Sequence, residues 1–156
     1  MFSTTTSQNK IEVSFIQKGY ELKTPKNLVL DADECVKIIT WFSDKMGLQD
    51  WAITVLLQDK EPEWFCPNDP SMLGACLPVV LAKESNIWVS PQRCRELNNN
   101  IFRTFFHELI HIIFAEKQVA DSEDLEFTID KLSAVFCGLY FTERTAELAE
   151  TEGNNR

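Results

Sequence analysis

The 156-residue sequence has few histidines, no paired cysteines and no long apolar run. Its five cysteines form no C-x-x-C pair, and no spare histidine can activate a thiol, so we expect reduced cysteines such as Cys94 and Cys137 to be small core residues. No apolar run approaches the roughly 20 residues of a membrane span, and MFSTTTSQNK lacks the pattern of a signal peptide. These absences predict a cytoplasmic protein.

Positive charge is also scarce. Fifteen Lys and Arg oppose 24 Asp and Glu, which gives a formal net charge of −9. The region 116–156 alone contains ten acids and four bases. Nucleic acid and anionic membranes require the opposite sign, so we expect neither as a partner and predict a protein or peptide partner instead.

Apolar residues are abundant, at 44% of the chain, and include eleven Phe and four Trp. A chain of this length can bury about 70% of its unfolded surface, so we expect a folded protein with one core. The predicted domain spans residues 11–149. It lies between a loose N-terminal segment, 1–10, and a frayed tail, 150–156.

The elements follow from hydrophobic periodicity and capping signals. Asp31 as N-cap and Gly47 as a stop predict a first helix from about Ala32 to Met46. Strands are predicted at 11–16, 51–57, 75–82 and 86–90, and helices at 100–116 and 122–148, with a short helical stretch after Pro91. The apolar face predicted for the last helix consists of Leu125, Ile129, Leu132, Val135, Phe136 and Leu139. This order predicts an α+β fold, with helices on one face of a small, mostly three-stranded sheet.

The segment RTFFHELIHIIF, residues 103–114, contains both histidines of the chain. On a helix, His107 and His111 lie on one face with Cβ atoms about 5 to 6 Å apart, so both can bind one ion. This is the H-E-x-x-H arrangement of zinc peptidases, in which the glutamate, here Glu108, takes a proton from water on the metal. The rest of the helix is nearly apolar all round, so burying these groups without a metal would be costly. The alternative is that His107 and His111 are ordinary core histidines whose polar atoms are satisfied within the fold.

A catalytic zinc needs a third protein ligand, and no histidine remains to supply it. Glu126 is the favoured candidate, because it lies four residues before Asp130 on one face of the last helix. Asp130 is then expected to accept a hydrogen bond from the outer nitrogen of His107 or His111. The other candidates for the third ligand are Asp121, Glu123, Asp124 and Asp130.

HELIH followed by EFTID resembles the H-E-x-x-H plus E-x-x-x-D pattern of gluzincin metallopeptidases. The layout of residues 48–140 is similar to small zincin-like proteins of phages and mobile elements and to the ImmA/IrrE group, whose members act on repressor-type proteins. The resemblance implies a minimal zincin-like domain in which His107, His111 and Glu126 hold zinc and Asp130 supports a ligand histidine. Fourteen residues separate His111 from Glu126, fewer than in typical gluzincins.

The same resemblance implies where a substrate would lie. Zincins bind an extended peptide along the edge strand before the active-site helix, and here this strand is predicted to be NIWVS, residues 86–90. The candidate donors to an oxyanion are Tyr140, Tyr20 and Arg103. The proline-broken loop 58–72 either walls the substrate groove or plugs the edge of the core.

Two functions are compatible with these features. The first is an intracellular zinc endopeptidase that cleaves a specific protein partner, with Glu108 activating the zinc-bound water; a phage-encoded member would act in the host cytoplasm. The second is a binding or regulatory module that keeps the zincin fold and acts by protein contact. Glu108 favours the first function, because a purely structural zinc site needs no base.

Overall fold

The computed structural model describes residues 2–5, 10–15, 28–65 and 69–154. This part of the chain forms five strands and four helices, so the fold is mixed α+β, as predicted. The strands are β1 (Phe2–Thr5), β2 (Lys10–Phe15), β3 (Ala52–Leu57), β4 (Gly74–Val79) and β5 (Glu84–Val89). The helices are α1 (Ala32–Met46), α2 (Pro91–Glu96), α3 (Ile101–Glu116) and α4 (Glu123–Asn154).

The five strands form one mixed sheet in the order β1-β2-β3-β5-β4. Strands β2, β3 and β5 are parallel, whereas β1 and β4 pair antiparallel with their neighbours at the two edges. One face of the sheet is apolar: in β3, Ile53, Val55 and Leu57 are buried, while the residues between them are half-buried. Helix α1 packs on β2, and α3 packs on β4 and β5, so the helices cover the core of the sheet.

Local sequence signals set the ends of the helices. Asp31 caps α1 by accepting a hydrogen bond from the Glu34 amide, and Gly47 ends the helix in the left-handed conformation at φ 74°. The side chain of Asn100 accepts a hydrogen bond from the amide of Phe102 and so caps α3. The bounds predicted for α1 are therefore confirmed, and the N-cap of α3 is the residue at which its predicted range begins.

Within the described residues, the sheet has five strands, more than the mostly three-stranded sheet that the sequence predicts. Residues 2–5 form β1 within the segment that the sequence predicts to be loose. FSTT has no strong strand signal of its own, and it forms a strand because it pairs antiparallel with β2. At the other end, the tail predicted to fray from residue 150 continues α4 to Asn154, because no proline or glycine lies between Gly138 and Gly153 to end the helix.

The buried face of α4 is rotated relative to the predicted one. Val135 and Leu139, both predicted to face the core, are 56% and 53% exposed. The residues buried in their place are Ser133, Cys137 and Tyr140. Polar residues are tolerated there because both hydroxyl groups find acceptors, at the Asp130 carbonyl and at Glu34. Although α4 is 32 residues long, no helix in the described part of the chain has the apolar length that a bilayer span needs.

Candidate metal centre

Helix α3 presents its two histidines towards the first turn of α4. The other large side chains of α3 are mostly buried beneath the sheet. The side chains of His107 and His111 are 20% and 17% exposed, and their ring centroids lie 5.1 Å apart. The imidazole rings are therefore adjacent, as their spacing of four residues on a helix predicts.

Glu126, in the first turn of α4, completes the cluster. Ser122 caps this helix by accepting a hydrogen bond from the Leu125 amide at 3.0 Å. One carboxylate oxygen of Glu126 lies 3.0 Å from His107 Nε2, and the other lies 2.9 Å from His111 Nε2. Atoms able to bind a metal in these three residues lie within 4.8 Å of one another, and the described residues contain no other such group. The structure thus brings together the three residues predicted as ligands.

The chemistry of these donors fits zinc. In catalytic sites, Zn²⁺ binds imidazole nitrogens and carboxylate oxygens at about 2.0 to 2.2 Å and keeps one position open. The side chain of Glu126 is 49% exposed, so an open position can face solvent. Burial is the main cause that lowers the pKa of His111, so its imidazole is neutral near pH 7 and retains a lone pair for a metal ion.

Glu108 lies beside the cluster. It is buried, at 6% exposure, and lines the same cleft as His107. Its side chain lies against the backbone of β4, where a Cβ on Gly74 would come within 3.4 Å of Glu108 Cγ and Oε1. Burial, followed by the nearby charge of Glu126, raises the pKa of Glu108 well above its usual range. A carboxyl group whose pKa is raised in this way can hold a proton at a higher pH than an exposed glutamate can.

A carboxylate faces the outer nitrogen of each histidine. Asp130 Oδ1 lies 4.0 Å from His107 Nδ1, and Asp121 Oδ1 lies 4.0 Å from His111 Nδ1. Both distances exceed that of a hydrogen bond, and Asp130 instead accepts a bond of 2.8 Å from Arg103 Nη2. The hydrogen bond predicted between Asp130 and a histidine is not formed. Asp121 is one of the alternative candidates for the third ligand, but its position at the outer nitrogen of His111 depends on the path of the turn between α3 and α4, which the sequence does not predict.

A cleft of about 390 Å³ opens beside the cluster. The end of the loop after β3, the start of β4 and the facing sides of α3 and α4 form its walls. The lining residues that carry charge or bind a proton are Arg103, His107, Glu108, Glu126 and Asp130. Arg103 is the only Lys or Arg among them, and Asp130 balances its charge. Polar and apolar atoms contribute about equally to the lining, so the cleft can contact both the main chain and an apolar side chain of a bound peptide.

The three candidate oxyanion donors lie in different places. Tyr140 is buried between α4 and α1, where its hydroxyl donates to Glu34, so it does not line the cleft. Tyr20 lies outside the described residues. Arg103 does line the cleft, one turn before His107 on α3.

The strand predicted to bind a peptide is not at the edge of the sheet. NIWVS lies largely in β5, which pairs with β3 on one side and with β4 on the other. The backbone of β5 is already hydrogen-bonded on both sides, so the predicted docking along it is wrong. Order along the chain suggested β5 as the edge, but the hairpin that joins β4 to β5 places β4 there.

The proline-broken loop between β3 and β4 is anchored to the domain. Arg93 Nη1 binds Glu61 at 3.0 Å and two backbone oxygens near the end of the loop. Phe65 packs on the buried Trp88, with ring centroids 5.9 Å apart. The middle of the loop thus covers the sheet, as one of the two predicted alternatives requires, while residues 71–73 wall the cleft.

The chain matches no protein-family model, no curated protein and no solved structure. The chemistry of the cleft is therefore the basis on which a function can be assigned. Two imidazoles and a carboxylate lie close enough together to hold a cation, and a buried carboxyl group lies beside them.

Proposed function

We propose that the protein is a zinc-dependent endopeptidase with a zincin-like domain, which hydrolyses a peptide bond of a specific protein partner. The observation that carries the proposal is the convergence of His107, His111 and Glu126 at one cleft with the buried carboxyl group of Glu108. A site that only stabilised the fold would need no buried proton carrier beside it. The H-E-x-x-H segment on α3 and the ligand on the next helix also agree with the resemblance to zincins.

Glu108 would carry the proton in this reaction. Zinc held by His107, His111 and Glu126 would supply a Lewis acid that polarises the substrate carbonyl and makes water more acidic. Glu108 would take a proton from the attacking water and give it to the leaving amine. Its raised pKa suits both steps, because the carboxyl group must hold the proton between them.

No described strand pairs with the outer edge of β4, and this edge is suited to hold an extended peptide. Ser90 N donates to Leu73 O at 2.9 Å, and the antiparallel register repeats this pairing at every second residue of β4. The amide and carbonyl groups of Gly74 and Cys76 therefore point away from β5. Pro78 has no amide hydrogen, so a docked peptide can form its full set of main-chain bonds only at the two earlier residues. This short edge lies directly beside Glu108.

Zinc content tests the ligand set. After incubation with zinc and gel filtration, elemental mass spectrometry should find about one zinc ion per wild-type chain and almost none in His111→Ala or Glu126→Ala. Glu123→Ala is the matched control, because Glu123 lies in the same turn of α4, is exposed and is not part of the cluster. Zinc retained at full occupancy by Glu126→Ala would contradict the proposed ligands.

Hydrolysis is tested with the zinc-loaded protein and a peptide library prepared from a whole proteome. We expect a narrow set of new peptide termini with the wild type and none with Glu126→Ala, both read by mass spectrometry. If the wild type binds zinc but cleaves neither the library nor any protein that it captures, the endopeptidase proposal fails. A binding module would then explain the fold better.

A further inference from the structure

The outward face of α4 carries almost no charge, although the chain is strongly acidic. The outward face of α4 is the exposed side of the helix between Phe127 and Ala149. It lies opposite the buried side when residues are placed around the helix at 100° per residue. Its large apolar residues, Phe127, Val135 and Leu139, are 63%, 56% and 53% exposed. Lys131 is the one charged residue on it, since Asp130, Glu143, Arg144 and Glu147 lie on other sides of the helix.

Side-chain size falls along this face from its N-terminal to its C-terminal half. The first half presents Phe127, Lys131 and Val135, whereas the second half presents Leu139 directly after Gly138 and then only the smaller Thr142, Ala146 and Ala149. Gly138 separates the halves, and a Cβ added there would meet no atom within 4 Å. Another helix can therefore approach most closely at the centre of the face.

We propose that the outward face of α4 binds the same face of a second copy of this chain, with the two helices antiparallel and crossing near Gly138. Such a two-fold contact is self-complementary, because each residue meets the residue at the mirrored distance from the crossing point. Phe127 then lies over Ala149 of the second copy, and Lys131 lies over Thr145. Parallel helices would instead place Phe127 on Phe127 and Lys131 on Lys131, so the size and charge pattern selects the antiparallel pair.

The spacing of these residues also agrees with a helix pair. Residues 131, 135, 138, 142, 145 and 149 alternate in steps of four and three, the repeat by which one side of a helix follows a neighbouring helix. The face extends over 22 residue steps, or about 33 Å. A single helix pair of this length is at the small end of specific interfaces, so we expect a dissociation constant in the micromolar range.

Charge explains why this side of the molecule can meet its own copy. Two chains that each carry −9 repel one another, and the repulsion is smallest where the contacting surfaces contain no acids. Glu126 points towards α3 on another side of α4, so the pairing leaves the cleft open. The proposed dimer therefore does not depend on the proposed peptidase activity.

Sedimentation velocity of the full chain over about a hundredfold range of concentration tests the pairing. The wild type should change from monomer to dimer, and Val135→Glu should weaken association by at least about tenfold, because two like charges enter the interface. Leu81→Glu is the matched control, since Leu81 is a fully exposed apolar residue in the turn between β4 and β5. It should leave the dissociation constant unchanged.

A second variant separates association from folding. Gly138→Leu should keep or raise the thermal stability of the monomer, because the site is open and leucine favours a helix more than glycine does. The same change should abolish the dimer, since the two helices meet at this position. A wild type that stays monomeric throughout the range would overturn the proposal. Equal association of Val135→Glu and Leu81→Glu, or dimerisation of Gly138→Leu with wild-type affinity, would overturn it as well.

Discussion

The fold buries two glutamates in different surroundings. Glu34 in α1 is 4% exposed, and Glu108 in α3 is 6% exposed. Glu34 accepts a hydrogen bond from the hydroxyl of Tyr140, and Arg144 Nε lies 3.2 and 3.3 Å from its two oxygens. Glu108 has neither a hydrogen bond nor an ion pair with any described residue, and it faces the cleft.

The difference in hydrogen-bond partners suggests that Glu34 is a structural carboxylate, whereas Glu108 is available for chemistry. Burial of a charged group is costly unless the group is paired. Glu34 is paired within the fold, and its partners tie the start of α1 to the second half of α4. Glu108 has no such partner among the described residues and opens onto the cleft instead, and buried carboxyl groups with raised pKa values are concentrated at functional sites. The two residues should therefore respond to the same substitution in opposite ways.

Replacement of Glu108 should have the largest effect on activity. Glu108→Gln keeps the size of the side chain but removes the proton carrier, so the rate of peptide hydrolysis should fall by about 10²- to 10⁴-fold. Zinc content should not change, because Glu108 is not in the proposed ligand set. The urea midpoint should not fall either, since no pair is broken. Hydrolysis is measured on the peptides that the wild type cleaves, with zinc analysis of the same samples.

Glu123→Gln is the control for this experiment, because it makes the same chemical change at an exposed position on α4. It should keep the wild-type rate. Wild-type hydrolysis by zinc-loaded Glu108→Gln would show that the unpaired glutamate is not the base.

Glu34→Gln should instead reduce stability and spare hydrolysis per folded molecule. The substitution leaves Arg144, whose side chain is 14% exposed, without its buried carboxylate, so the free energy of unfolding should fall by about 3–5 kcal/mol. Glu147→Gln removes the other carboxylate that contacts Arg144, but this one is 65% exposed, so the loss should stay below about 1 kcal/mol. Urea unfolding compares the two variants, and equal losses would mean that burial does not distinguish Glu34.

The sequence predicts a role for Glu108 but gives no indication of the buried ion pair that Glu34 forms. Glu108 belongs to a local motif on an apolar helix, so five consecutive residues are enough to single it out. Glu34 looks like a helix-capping residue, since its partners Tyr140 and Arg144 lie 106 and 110 positions further along the chain. Only the packing of α1 against α4 brings these residues together, and this also removes Tyr140 from the list of oxyanion donors.

The difference between local and long-range contacts also explains which predictions about the fold were wrong. The ends of α1 are predictable, because Asp31 and Gly47 act on neighbouring residues. The order of the strands is not, because pairing depends on residues far apart in the chain. FSTT becomes β1 only beside β2, and the placement of β4 at the edge of the sheet depends on which strands flank β5.

Tyr140→Phe tests the neutral partner of Glu34 through the pH dependence of stability. Burial, followed by the hydrogen bond to Glu34, raises the pKa of Tyr140 above its usual range. An unfolded tyrosine ionises near about pH 10, whereas folded Tyr140 keeps its proton to higher pH. The unfolded state therefore releases a proton first, and wild-type stability should fall as the pH rises above about 10.

The Phe variant should lose about 1.5–3 kcal/mol near neutral pH, because one hydrogen bond to a buried carboxylate is removed. Above about pH 10 its stability should fall less steeply than that of the wild type, since the titrating group is gone. Urea unfolding at a series of pH values measures both slopes. Parallel curves would mean that Tyr140 ionises as easily in the folded state as in the unfolded one.

Gly74→Ala tests how closely β4 confines Glu108, and its coupling to Glu108 should be the smallest of the predicted effects. A Cβ at residue 74 would lie 2.7 Å from the carbonyl oxygen of Trp88 and 3.4 Å from Cγ and Oε1 of Glu108. The first contact is with backbone and should cost about 1–3 kcal/mol in any background. The second contact involves only Glu108, so it should disappear when that side chain is removed.

A double-mutant cycle isolates the second contact. Gly74→Ala should reduce the free energy of unfolding by about 0.3 kcal/mol less in the wild type than in Glu108→Ala, because only in the wild type does the new methyl group gain an ordinary van der Waals contact with the side chain of Glu108. Strict additivity would mean that the methyl group gains no contact with Glu108. The position of Glu108 would then come from α3 alone, and a peptide docked on β4 would meet a mobile carboxyl group instead of one held against the strand. A measurable coupling between residues 74 and 108 would mean that β4 helps to hold the carboxyl group of Glu108 in place. Glu108 has no hydrogen-bond partner among the described residues to fix it, so this contact would position it towards a substrate.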